Sequence, residues 1–166
     1  MFRTIEDFQT AWAYEAEATG KVLLGLTDES LGQKVNDEGR KLGYLGWHLT
    51  LTLAEMLGRV GLIINAPAQD AECPASAAEI ARIYGIGGKS VGDEVSKNWT
   101  AETLLIEDDM YGETWSRGNT LFYLMLHQAH HRGQMEVLMR QAGLRVPGIY
   151  GPSKEEWAAF GMPALP

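Results

Sequence analysis

The sequence predicts an all-α, four-helix bundle forming a single domain over residues 1–166, and three observations lead there. Four stretches repeat apolar residues at the three-to-four-residue spacing of an amphipathic helix. No stretch shows a convincing alternation of apolar and polar residues, as a half-buried strand would. The turn-forming residues, among them Asn65-Ala66-Pro67, Pro74 and Gly143, fall between or after these stretches. Helices with one apolar face each bury it by packing on one another.

The first helix begins at Ile5, and Phe8, Trp12, Ala16, Thr19, Leu23 and Leu26 follow one face. Thr4 and Asp7 have the spacing of a capping box, with Asp in place of the usual Glu or Gln. The second helix covers roughly 40–60, with Leu45, Leu49, Thr52, Met56 and Val60 on its stripe. The third opens on Ser76-Ala77-Ala78-Glu79, again a capping-box spacing, and runs through Ile80, Tyr84, Gly87, Val91 and Val95. Gly85, Gly87, Gly88 and Gly92 lower its helix propensity, so a bend or interruption is expected there. The fourth carries Leu121, Leu124, Met125, Gln128, His131, Met135, Leu138 and Ala142 on one stripe, with Gly143 as its stop. Residues 100–118 lack a clean period and read as a loop with a short extended piece. Val146-Pro147-Gly148-Ile149-Tyr150-Gly151-Pro152 cannot be helical and is expected over the surface, and Ser153-Lys154-Glu155-Glu156 caps a short last helix ending near Gly161.

Charge and cysteine content narrow the functions. Fourteen Lys and Arg against 22 Asp and Glu give a net charge of −8, which disfavours nucleic acid and anionic membrane surfaces as partners. A lone cysteine, Cys73, permits no intramolecular disulfide, and no apolar run reaches membrane-spanning length. The expectation is a soluble, cytoplasmic domain. Cys73 has no evident base beside it and reads as a small loop residue rather than a nucleophile.

Three of the four histidines lie in His127-Gln128-Ala129-His130-His131. Four residues advance a helix by about 400°, so His127 and His131 share a face one turn apart, close enough to bind one divalent ion. His130 is turned about 80° away and is the worst placed of the three. Such spacing also arises by chance, but this pair lies on or beside an apolar stripe, where each imidazole nitrogen needs a partner. The fourth, His48, sits between Leu45 and Leu49 on the core face of the second helix. Alone it reads as a hydrogen-bonded core histidine; with helix two facing helix four, three histidines converge and leave a coordination position open. Glu55 is two turns beyond His48 on the same face, as a partner to the site, a pocket-lining charge, a carboxylate paired with a buried Arg, or one pointing into solvent. Arg132 and Gln134 read as solvated or interface polar residues. The His-Glu-x-x-His protease pattern fails at Gln128, which cannot act as a base.

Residues 127–134, the downstream Val146-Pro147-Gly148-Ile149-Tyr150-Gly151-Pro152-Ser153 and Gly46-Trp47-His48 together resemble the DinB-like family, over nearly the whole chain. The resemblance implies an up-down-down-up bundle, a homodimer, and a divalent metal held by His48, His127 and His131, with His130 matching an extra histidine not counted as a ligand. The wider superfamily is similar to YfiT-type hydrolases and includes bacillithiol transferases and mycothiol-dependent maleylpyruvate isomerases. It therefore implies a thiol-dependent transferase using zinc or nickel and a low-molecular-weight thiol. A metal-dependent hydrolase and a non-catalytic metal-binding stress-response module are the alternatives. No catalytic side chain is assigned beyond the metal ligands.

Overall fold

The computed structural model describes residues 2–164. Four helices dominate it: α1 (Ile5–Leu24), α2 (Leu42–Arg59), α3 (Ala77–Asn98) and α4 (Arg117–Gln141). A two-stranded antiparallel hairpin, β1 (Glu107–Met110) and β2 (Glu113–Ser116), lies between α3 and α4, with Glu107 opposite Ser116 and Met110 opposite Glu113. None of the described helices is long and apolar enough to cross a membrane.

Side-chain contacts set the helix directions. Gln9 and Trp12 of α1 donate to the carbonyls of Gly92 and Gly88, so α1 and α3 run antiparallel. Gly46 faces Met135, and Gln128 donates to the Leu49 carbonyl, so α2 and α4 are antiparallel neighbours too. The start of α3 meets the end of α1, where the Ala77 amide donates to Asp28 Oδ1 at 2.7 Å. Gly46 lies against Ile80 and Leu53 against Gly87, so α2 and α3 run parallel, and the result is the up-down-down-up arrangement. Its core holds Phe8, Trp12, Leu49, Leu53, Ile80, Val91, Leu121 and Leu124, all nearly inaccessible. Association of these faces is hydrophobic burial, worth roughly 1.5–3 kcal/mol for each large side chain.

Two local expectations hold. Thr4 and Asp7 form their capping box. Helix α4 has a cap that no motif announced, Ser116 accepting from the Asn119 amide. Gly143 follows α4 at φ +73°, in the left-handed conformation that ends helices. Others need correction. Ser76 makes no side-chain cap bond; Asp28, distant in sequence, takes that role, and Glu79 turns to Arg82 instead. Helix α3 is continuous despite its glycines. A Cβ at Gly87 would lie 2.9 Å from Leu53 Cδ1, so the missing side chain is what lets α3 approach α2. The stretch 100–118 contains a full hairpin as well as a 3₁₀ turn at Thr103–Leu105. The last helix is a 3₁₀ turn, Trp157–Phe160. The segment before it is not merely superficial, since Val146 is buried in the core.

Candidate metal centre

Helix α2 presents Tyr44, His48, Leu51, Glu55 and Arg59 on one face, as their spacing of three or four residues requires. Helix α4 presents Tyr123, Leu126, His127 and His130 opposite them, and the hairpin closes the space with Tyr111 and Trp115. Together they line a cavity of about 860 Å³.

His48, His127 and His131 come together at one end of this cavity. Nε2 of His127 lies 3.2 Å from Nε2 of His48 and 3.1 Å from Nε2 of His131. A neutral imidazole nitrogen carries either one proton or one lone pair, so His127 Nε2 can serve only one of these neighbours well. Three nitrogens crowded this way are frustrated as a hydrogen-bonding group. They suit a shared cation: bonds of about 2.0–2.1 Å at angles of 90–109° place ligand nitrogens about 2.9–3.4 Å apart. His127 Nδ1 is buried with no hydrogen-bond partner among the described residues. Burial lowers the pKa of all three rings, and the neighbouring histidines lower those of His48 and His127 further. That of His127 falls to about 4. The site is thus a set of neutral lone pairs at physiological pH, the form metals bind. The residues present could hold a divalent ion.

Gln134 is exposed, as its reading as a solvated polar residue expects, but it also orients the cluster. Its Oε1 accepts from His131 Nδ1 at 2.8 Å, and its Nε2 donates to His130 Nε2 at 3.1 Å. The first bond puts the His131 proton on Nδ1 and leaves the Nε2 lone pair facing the other two rings. His130 stays outside the three-histidine group, as its angular position predicts. Tyr44 stacks on His48, with ring centroids 5.9 Å apart.

Glu55 takes one of its anticipated roles and part of another, since its Arg partner is 42% exposed rather than buried. It lines the cavity, and both carboxylate oxygens are occupied, Oε1 by Arg59 Nε and Oε2 by the Tyr111 hydroxyl, each at 2.6 Å. Cys73 is remote from the histidines, its thiol near the Gly43 and Pro74 carbonyls, and burial raises its pKa. It has none of the surroundings that activate a nucleophilic thiol.

Arg132 contradicts its expected solvated role. It is 1% exposed and forms an ion pair with the buried Glu15, Nη2 to Oε2 at 2.5 Å. Its Nη1 donates to Thr19 Oγ1 and the Glu15 carbonyl. The Tyr150 hydroxyl donates to Glu15 Oε1 at 2.8 Å, fastening the C-terminal segment across the bundle. Gln128 continues this network by accepting from Tyr84 and Thr19 and donating to Leu49. The available signal was positional: Arg132 is one turn after Gln128, on the same inward stripe.

Comparison with known proteins places this architecture. The DinB family model matches residues 1–164, and the chain belongs to that family. It is similar to the uncharacterized protein YrdA of Bacillus subtilis strain 168, 44% identical over 164 residues that cover 99% of this chain and 98% of YrdA. The crystal structure of a DinB-like protein from Bacillus cereus ATCC 10987 matches 90% of this chain and 100% of that one, at 40% identity and a TM-score of 0.86. The DinB-like protein YjoA of Bacillus subtilis shares the fold at 14% identity and a TM-score of 0.68, over 89% of this chain and 99% of YjoA.

Proposed function

We propose that the protein is a metal-dependent enzyme of the thiol-dependent transferase type, using His48, His127 and His131 as ligands to one zinc or nickel ion. The observation that carries this is the convergence of three Nε2 atoms, 3.1 and 3.2 Å apart, at the end of a large cavity. When bound, such an ion supplies Lewis acidity that lowers the pKa of a thiol or water at its open position. The chain's own residues favour the thiol. Water chemistry calls for a positioned base, and Glu55, the carboxylate lining the cavity, has both oxygens occupied. A thiol starts from a pKa of about 8.5 and needs no such base. Gln134 keeps His131 in the ligating tautomer, and Leu51, Met56 and Leu126 give the cavity an apolar lining suited to an organic substrate. The same reading includes a cytoplasmic location, where small thiols stay reduced, and assembly as a homodimer.

Loading with cobalt tests it without an assay. A small cellular thiol at millimolar concentration should bring up an intense near-ultraviolet sulfur-to-cobalt band, absent in His131→Ala. An unchanged spectrum would remove the transferase reading and move hydrolase or purely structural metal binding ahead. Sedimentation at micromolar concentration checks the dimer, which predicts twice the 18.3 kDa chain mass.

A further inference from the structure

The cavity has a second polar end, about 16 Å from His48 measured along the axis of α2, eleven residues on at Arg59. There Arg59, Glu55 and Tyr111 form one unit. Arg59 Nε donates to Glu55, the Tyr111 hydroxyl donates to the other Glu55 oxygen, and the guanidinium lies 4.3 Å over the Tyr111 ring. Tyr111 is the described non-glycine residue with positive φ, at +62°, followed by Gly112 at +85°, the two forming the tip of the hairpin. A bulky side chain in that region costs of order 1 kcal/mol, and such strain persists where surrounding contacts require it. Here it sets the Tyr111 ring under Arg59 and its hydroxyl on Glu55. The guanidinium is therefore held in place before any ligand arrives.

Gln69 and the rings of Tyr44 and Tyr123 also border the cavity, and much of the remaining lining is apolar. The indole nitrogens of Trp47 and Trp115 donate to the Ala71 carbonyl and to Glu113, so these residues offer the cavity ring surface rather than donors. Of the five N–H groups of a guanidinium, Glu55 takes the one on Nε, and the Arg59 side chain remains 42% exposed. Among the described residues lining the cavity, Arg59 is the one Lys or Arg.

We propose that Arg59 is the anchor for the carboxylate of a substrate whose apolar or planar body lies against Trp115 and Tyr123, reaching toward the histidines. This deepens the metal-centred function above by naming its substrate class: an organic monocarboxylate. Fixed planar donors match a carboxylate's two oxygens. A single cation already facing Glu55 is a poor match for a phosphate dianion, and inorganic phosphate is expected not to compete.

Trp47 and Trp115 give a readout independent of metal, thiol or turnover. Tryptophan fluorescence of the full chain is titrated with phenylacetate and with its neutral counterpart phenylacetamide, with and without zinc. Phenylacetate should bind about 10-fold more tightly, as expected for a charge-assisted bond. Arg59→Gln should erase that preference while leaving phenylacetamide unchanged, and Arg59→Lys should keep part of it. Equal affinities in the wild-type protein would overturn the anchor, as would an Arg59→Gln variant that weakens both ligands equally or retains the preference. A preserved carboxylate preference alongside a silent cobalt spectrum would leave the anchor standing and remove the thiol chemistry. The reverse pattern would do the opposite.

Discussion

Helix α4 carries two polar clusters of opposite character, and they alternate along its sequence. His127 lines the cavity and joins His131 in the histidine group, while Gln128 and Arg132, each one residue further on and thus about 100° around the helix, face the core. On the core side, Arg132, Glu15, Thr19, Gln128, Tyr84 and Tyr150 partner one another in a network tying α1, α2, α3 and the C-terminal segment to α4. On the cavity side three imidazoles press their Nε2 atoms together with too few protons and lone pairs to match. Both clusters are desolvated, so the difference lies in completeness. A satisfied polar network stabilises and specifies a packing; an unsatisfied one at a cavity is kept for something that is not protein.

That contrast predicts opposite responses to substitution, and the largest effect belongs to the network. Arg132→Met should cost about 3–5 kcal/mol, because it strands the buried Glu15 carboxylate. The double variant Arg132→Met with Glu15→Leu should recover much of that loss, since no unpaired charge is then buried. Urea midpoints for the two proteins decide it: a double variant no more stable than the single would mean the pair is not the source of the cost. Next in size is metal binding. His48→Ala should lose most of the bound zinc measured by elemental analysis after dialysis, while His130→Ala retains most of it. Equal loss from both would break the three-ligand assignment.

How far these features were legible from sequence follows from the range of the interactions involved. The four helices were readable because each apolar stripe is a local pattern. The histidine group was readable because His127 and His131 are one turn apart and a bundle brings α2 to α4. The hairpin was not, since Glu107–Met110 and Glu113–Ser116 are polar strands with Met110 their one buried residue, which leaves no alternation to detect. The cap on α3 comes from Asp28, which no local motif reveals. Arg132 reads as a surface residue by its type, whereas its position on the inward stripe decides its burial. The continuity of α3 is hidden for a related reason: Gly87 has low helix propensity, whereas its close packing on Leu53 decides its role.

A third prediction sharpens the cavity side. Gln134 is exposed, so Gln134→Ala should hardly change stability. Yet it releases His131 Nδ1, and removal of such an orienting partner typically weakens metal binding about 10–100-fold. Competition titration against a zinc chelator reads this directly. An unchanged affinity would show that packing alone holds the His131 ring.

The smallest destabilisation is a negative one, which runs opposite to intuition. His127 is the middle member of the histidine group, with Nε2 shared between two rings and Nδ1 buried without a partner among the described residues. Without metal, that ring contributes desolvation cost and little bonding. Replacing an unsatisfied polar group with an apolar one of similar reach removes the cost and keeps the packing against the neighbouring apolar surface. His127→Leu should therefore abolish metal binding and stabilise the metal-free protein by about 1 kcal/mol, or roughly 2–4 °C in melting temperature for a chain of this length. The comparison must be made in chelator, because bound metal would add its own binding energy to the wild-type protein alone. A metal-free His127→Leu protein less stable than metal-free wild type would mean that the imidazoles satisfy one another after all. The contrast between the two faces of α4 would then be one of degree.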